Sequence, residues 1–251
     1  MQKEEQLLQK RLIELSKISY QREIVTFSDF LNLNELNILH TTPKNMFYSQ
    51  YETFGGYEFS ERQMVAFLPD ALCYEKIYPI SLLKIEPLQK KFAEKLSHRD
   101  YLGSILNLGI ERSKIGDILV EDDCAYIFVH KSLEKFMLEE VTRIRHTAVT
   151  LYVLDDIDFK YTPNFKEIKG TVSSLRLDSL LSLAFSSSRS KLVDYIENGK
   201  VFVNGKLITS NGYQIKENDI VSVRGLGRFQ YIQTLSQTKK GRYYVTINLY
   251  I

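Results

Sequence analysis

Residues 188–207 read SRSKLVDYIENGKVFVNGKL, and they decide how the C-terminal third is built. Leu192, Val193 and Ile196 fall at helical spacing behind three serines suited to capping (Ser186, Ser187, Ser188), so a helix is predicted over about 189–198. Gly199 follows at the point where a helix end needs a left-handed residue without a Cβ penalty. Val201-Phe202-Val203 alternates as a strand. Asn204-Gly205 is a strong signal for a two-residue hairpin, and Leu207-Ile208 supplies the return strand.

Upstream, Arg176-Leu177-Asp178 leads into a further helix through Leu180, Leu181 and Leu183. Downstream, Ile215, Ile220, Val221 and Val223 predict a strand pair, and 243–250 alternates Val245, Ile247 and Leu249 as a last strand. Two short helices beside a hairpin would gather Arg176, Arg189, Lys191, Lys200 and Lys206 around one groove, with Arg224 near it. Ser188 and the amides opening the second helix would add a phosphate site. Arginine chelates phosphate and lysine supplies a point charge, so such a groove reads RNA backbone and shape rather than sequence. Asp178 would repel RNA; at a helix start it is expected to cap the helix or pair with an arginine.

These residues and spacings, from Arg176-Leu177-Asp178 through Ser188-Arg189-Ser190-Lys191 and Ile196-x-x-Gly199-x-Val201-x-Val203-Asn204-Gly205 to Asn218-Asp219-Ile220, resemble the small RNA-binding domain named after ribosomal protein S4. The likeness spans roughly 174–224. It departs at Asn218, where that family usually has glycine.

Charge agrees with a polyanion partner. The 251 residues carry a formal charge of only +2. From residue 171 onward, however, eleven Lys and Arg face five Asp and Glu, leaving an acidic remainder. Such asymmetry also fits a merely solvated basic face. A hydrophobic content of 44% and a charged content of 25% exclude disordered and collagen-like classes. No apolar run is long enough to span a membrane, and the N-terminus lacks the apolar stretch of a signal peptide. Two cysteines, Cys73 and Cys124, make no disulfide framework, and with the four scattered histidines they make no metal site. A reduced, cytoplasmic location, no cofactor, no metal and no membrane partner are expected.

The fold class is α+β, in three parts: an N-terminal α/β domain over 1–78, a central domain over 79–160, and the RNA-binding domain over 171–251, with 155–170 as linker. The first opens with a helix (Leu7, Leu8, Leu12, Leu15, Ile18), continues with a short helix capped by Ser28-Asp29, and adds strands at 46–54 and 64–68. The central part reads strand (80–85), helix (88–108), strands (117–120 and 124–130), helix (131–145) and strand (147–154). That is the β-α-β-β-α-β order of ferredoxin-like and RNA-recognition-motif folds. In the latter, aromatics on central strands stack bases. Tyr126 and Phe128 are the candidates here, against the alternative that both rings pack a core.

Gly55-Gly56-Tyr57-x-x-x-Glu61-Arg62, then Leu96-Ser97-His98-Arg99-Asp100-Tyr101-Leu102-Gly103, then Leu108-Gly109-Ile110-Glu111-Arg112-x-Lys114-x-Gly116-Asp117-Ile118 resemble the YlmH family, whose members carry this three-part order. The resemblance implies binding to structured RNA (rRNA and tRNA) on the large ribosomal subunit, in quality control of stalled peptidyl-tRNA complexes. It also brings an inferred role in cell division. Read from the residues alone, the glycines serve helix ends and turns, while Arg99, Arg112 and Lys114 are secondary candidates for the RNA surface.

An enzyme is not expected. His98-Arg99-Asp100 lacks the partners of a kinase catalytic loop, Gly225-Leu226-Gly227 leads into strand-like residues rather than a nucleotide-binding helix, and no nucleophile–base pair is apparent. The alternatives are an rRNA- or tRNA-modifying enzyme and an interaction scaffold for cell division.

Overall fold

A computed structural model describes residues 3–70, 75–154, 159, 161 and 163–250. Cys73 and the first residues of the expected linker, 155–158, lie outside the described residues. The chain forms two compact units, 1–161 and 162–251.

The first unit begins with α1 (Lys3–Arg22), β1 (Thr26–Phe27), α2 (Leu33–Thr41), β2 (Gln50–Phe54) and β3 (Met64–Leu68). The strands form an antiparallel sheet in the order β1-β3-β2. Leu12 and Leu15 of α1 and Leu36 and Leu39 of α2 close its core over Val65 and Phe67. Two serines on the buried side of α1 are satisfied: Ser19 Oγ donates to the Phe67 carbonyl at 3.0 Å, and Ser16 Oγ to that of Ile13 at 2.7 Å. The second helix starts later than Ser28-Asp29. Asn32 caps it, accepting from the amides of Asn34 and Glu35, while the Glu35 carboxylate takes the Asn32 amide at 2.7 Å. Ser28 is instead tied to β3, where its Oγ accepts the Val65 amide.

The same unit continues with β4 (Ile80–Pro87), α3 (His98–Leu106), β5 (Ile115–Val120), β6 (Ala125–His130), α4 (Glu134–Glu140), β7 (Arg143–Ile144) and β8 (Thr147–Leu154). The sheet order is β5-β6-β4-β8-β7, antiparallel throughout. Its helices are shorter than the periodicity predicts. The stretch 88–108 holds a single 3-10 turn before α3, because Ser97 and Asp100 form a capping box that starts the helix only at His98. The stretch 131–145 opens with another 3-10 turn, and α4 ends at Glu140 as the chain turns into β7.

One sheet face packs Leu83, Ile85, Ile127 and Val129 against Tyr101, Ile105 and Met137 of the helices. The other packs Leu82 and Phe128 against Phe30, Tyr57 and Met64 from the N-terminal part. This corrects the reading of Phe128 as a base-stacking residue. Its ring is 0% exposed, stacks on Tyr57 at 5.1 Å, and meets Phe159 at 5.7 Å. Gly56 makes room for that stack: at φ +103°, a Cβ there would lie 2.3 Å from the Phe128 ring. Tyr126 sits beside Phe159, with ring centres 5.1 Å apart. The surface that an RNA-recognition motif offers to bases is, over Phe128, an internal seam.

The second unit contains β9 (Phe165–Val172), α5 (Leu177–Ala184), α6 (Arg189–Glu197), β10 (Val201–Val203), β11 (Lys206–Leu207), β12 (Ile220–Val223), β13 (Gly227–Gln237) and β14 (Tyr243–Tyr250). They form a six-stranded sheet in the order β11-β10-β12-β13-β14-β9. Leu177, Leu180, Leu181, Leu192 and Ile196 cover one face, burying Val201, Val221, Phe229 and Ile247. Two expectations change. The later part of the expected linker is β9, paired along its whole length with β14. The expected strand pair after Ile215 is a single strand, β12, whose partner is the long β13.

Candidate nucleic-acid interface

The α5–α6 turn is tight. Ser182 Oγ donates to the Ser187 carbonyl at 2.7 Å, and Ser186 takes a left-handed φ of +47°. Ser188 then stands at the N-cap of α6 without a side-chain capping bond; its Oγ lies 3.3 Å from Ser190 Oγ. No acidic residue occupies the first turn. The helix therefore opens with amides that its own cap leaves unsatisfied, the electropositive end of the peptide dipoles. Arg189 and Lys191 are exposed there, and Arg189 Nη2 donates to Ser173 Oγ at 2.9 Å, which holds the guanidinium near the end of β9. Arg176 stands at the N-cap of α5. Its guanidinium pairs with the buried Asp178 carboxylate, Nε to Oδ1 at 3.1 Å, so Asp178 plays the expected part of ion-pair partner.

The remaining candidates sit by the sheet. Lys200 follows Gly199 and lies over the Tyr195 ring, its Nζ 5.1 Å from the centroid. Arg224 lies across from it: the Arg224 amide donates to the Lys200 carbonyl at 2.9 Å, and its guanidinium covers the Phe202 ring at 5.4 Å. Lys206 is exposed on β11, opposite Val203. The seven candidates thus fall into a helix-start group (Arg176, Ser188, Arg189, Lys191) and a sheet group (Lys200, Lys206, Arg224).

A polar brace shapes the hairpin beside them. The buried Asp219 accepts from Asn204 Nδ2 at 2.8 Å and from the Lys216 amide at 2.7 Å, while Asn204 Oδ1 takes the Ile220 amide at 2.9 Å. Asn218, the departure from the S4 pattern, has φ +69°, a region where asparagine is tolerated and glycine is at ease. We expect Asn218→Ala to lower the unfolding free energy by about 1 kcal/mol and Asn218→Gly to be near neutral, as urea titration would report.

Arg228 was missed by the sequence reading. It lies on β13, opposite Ser222, with its guanidinium 4.9 Å from the Tyr250 ring centre. The alternation of Phe229 and Tyr231 as buried positions would have signalled a strand with Arg228 on the other face.

In the first unit, two secondary candidates serve the fold. Arg112 Nη1 donates to the Ile115 carbonyl at 2.5 Å, and burial, then the adjoining Arg62 charge, pulls its pKa down to about 10. Lys114 pairs with Asp29 at 2.6 Å. Arg99 is exposed on α3. Among the described residues, no group of three or more His, Cys, Asp or Glu is placed to hold a metal ion, and no helix is long and apolar enough to cross a membrane.

Comparison with known proteins accords with this division. Residues 74–158 match the family model of the RNA-binding domain in YlmH, and residues 175–221 match that of the S4 domain. A relative from Bacillus subtilis (strain 168), "Ribosome-associated protein quality control protein P2", is 28% identical over 248 residues, covering 97% of this chain and 95% of its own. A solved structure, "Cell division protein ylmH from Streptococcus pneumoniae", aligns at a TM-score of 0.50 and 25% identity, over 62% of this chain and 93% of that one. The chain thus carries a match to the YlmH RNA-binding domain followed by a match to the S4 domain, and it is similar along almost its whole length to the Bacillus relative.

Proposed function

We propose that this chain is a non-enzymatic RNA-binding protein that grips structured ribosomal or transfer RNA on the large ribosomal subunit, in the quality control of stalled peptidyl-tRNA. The observation that carries the reading is the start of α6. Its amides lack a side-chain cap, its first turn lacks acid, and Arg189 and Lys191 flank it exposed. That arrangement suits a phosphate. The name of the Bacillus relative supports the ribosomal setting.

Phosphate-centred binding has a measurable signature. Affinity for a structured rRNA fragment falls steeply with salt, because each neutralised phosphate releases counterions. Arg189→Ala with Lys191→Ala should weaken binding about 10- to 100-fold, roughly 1.4 kcal/mol per tenfold, alike for unrelated structured RNAs. A change of sequence preference with unchanged overall affinity would refute backbone reading. Co-sedimentation of the full chain with large subunits on sucrose gradients tests the ribosomal part. The name of the pneumococcal structure favours a second reading, a division scaffold. That reading requires a protein partner retained after RNase treatment.

A further inference from the structure

The last carboxylate in the sequence is Asp219, and 220–251 then carries cations without an acid among them. Three of those cations fall together in Lys239-Lys240-Gly241-Arg242, where β13 turns into β14. The stretch that matches the S4 domain ends well before them, at residue 221. β12 accompanies β13 only as far as Gln230, so the part of β13 that runs on to the turn has β14 as its strand partner. Residues 235–242 are exposed throughout.

The turn is fixed by its own hydrogen bonds. The Thr238 amide donates to the Arg242 carbonyl at 2.8 Å, the Gly241 amide to the Thr238 carbonyl at 2.8 Å, and the Arg242 amide to Thr238 Oγ1 at 3.1 Å. Gly241 supplies the left-handed residue that the reversal needs, at φ +74°. Lys239 and Lys240 stand at the apex, exposed and without an ion-pair partner among the described residues. Two neighbouring ammonium groups repel each other, and an anion between them relieves that repulsion.

The base of this hairpin meets the start of α6. Arg242 Nη2 donates to the Thr171 carbonyl at 3.0 Å, and Arg189 Nη2 donates to Ser173 Oγ at 2.9 Å. Thr171 and Ser173 are both exposed and only two residues apart, at most about 7 Å along the chain. The end of β9 thus holds two guanidinium groups, one from the hairpin and one from α6. Each uses a single N–H for that anchor and keeps the others for a ligand. An anchored side chain also loses less rotamer entropy on binding. The one carboxylate of β9, Glu167, lies opposite Asn248, away from the turn, and Lys169 pairs with it at 2.7 Å.

We infer that the β13–β14 hairpin is an arm that continues the phosphate site of α6. One RNA strand runs from the start of α6, past Arg189 and Arg242 at the end of β9, to Lys239 and Lys240 at the tip. The inference rests on the RNA-binding reading above and deepens it, because it assigns the arm and its three cations to the same RNA contact.

The test uses the full chain and a structured ribosomal RNA fragment. Wild type, Arg189→Ala/Lys191→Ala, Lys239→Gln/Lys240→Gln and Lys239→Glu/Lys240→Glu are compared by fluorescence anisotropy from about 50 to 300 mM salt and by hydroxyl-radical footprinting. The two lysines touch no core residue and Gly241 is kept, so the variants should fold; circular dichroism checks it. The glutamine pair is expected to bind about 10-fold more weakly, with a salt slope shallower by about two, and the glutamate pair about 100-fold more weakly. The protection they lose should adjoin the nucleotides that the α6 pair ceases to protect. If both lysine pairs keep wild-type affinity and footprint while the α6 pair is impaired, the arm is overturned and the RNA-binding reading stands. If the protection they lose is separate from the α6 segment, the continuous track is overturned. If the α6 pair binds as wild type does, or the wild type binds no RNA, the reading itself falls and takes the inference with it.

Discussion

Arg62→Ala is expected to cost the first unit about 3–5 kcal/mol, a large share of the 5–15 kcal/mol typical of a folded domain. Arg62 is buried at 9% exposure, where it fastens the N-terminal elements to the central sheet. Its Nε donates to the Ile115 carbonyl at 2.8 Å; its Nη2 donates to the carbonyls of Phe30 at 2.9 Å and Arg112 at 3.2 Å. Asp117 completes the joint from the sheet side, accepting from Tyr57 Oη at 2.9 Å and from the amides of Glu61 and Arg62 at 2.7 and 3.1 Å. Burial lowers the Arg62 pKa, and the carboxylates of Glu35, Asp117 and Glu61 oppose that shift. Truncation takes the side-chain donor from the Phe30 carbonyl, at about 1–3 kcal/mol if water does not reach it, strips a second donor from the Ile115 and Arg112 carbonyls, and opens space where the stem packed. Lysine should fail to rescue, since one ammonium on a flexible stem lacks the rigid fork that meets three carbonyls from two segments. Urea unfolding of the full chain, with hydrogen exchange followed at β3 and β5, measures this. A loss below about 1 kcal/mol would show that the joint contributes little.

Removing β9 should have an equally large effect on the second unit. A chain beginning at Ser173 lacks the strand that pairs with β14 from Val172↔Tyr243 to Phe165↔Tyr250. It also lacks the buried Val172, and it loses Ile168 from the core margin. Burying a valine side chain contributes about 1.5–3 kcal/mol. The exposed edge of β14 would further invite aggregation. We expect the 162–251 fragment to show dispersed amide resonances and a cooperative melt, and the 173–251 fragment to be unfolded or aggregated at 25 °C. Equal stability of the two fragments would mean that β9 is dispensable.

The stretch 155–170 reads as linker because Pro163 and Gly170 punctuate it. Gly170, however, sits within β9, where a Cβ would come within 2.4 Å of Leu183 on α5, so close packing and not a turn requires it. The helix predicted over 88–108 falls short for a related reason. Apolar spacing says which residues share a face, but the Ser97–Asp100 capping box decides where hydrogen bonding begins. The glycines at 55, 56 and 116 read as turn formers. The structure makes them points of close approach: a Cβ at Gly116 would lie 2.8 Å from the Phe30 ring, and one at Gly55 would lie 2.1 Å from the Arg62 carbonyl oxygen. Of the candidate site, the pairing of Asp178 with an arginine was legible, whereas the split of the cations into two groups was not.

What the chain's residues determined unaided was local: α1, β3, β8 and β14 from their period of apolar residues, the α6 helix with Gly199 at its end, the Asn204-Gly205 hairpin, and the basic character of the last third. Each depends on neighbours within a few positions, where backbone sterics and side-chain alternation act directly. Only the tertiary structure decided which face of the central sheet is covered, that Phe128 is sealed under Tyr57, and that Arg224 and Arg228 rest on rings from other strands. Those outcomes join Tyr57 to Phe128 and Phe165 to Tyr250. Contacts across so many residues are chosen by the fit of whole surfaces, which no local pattern contains.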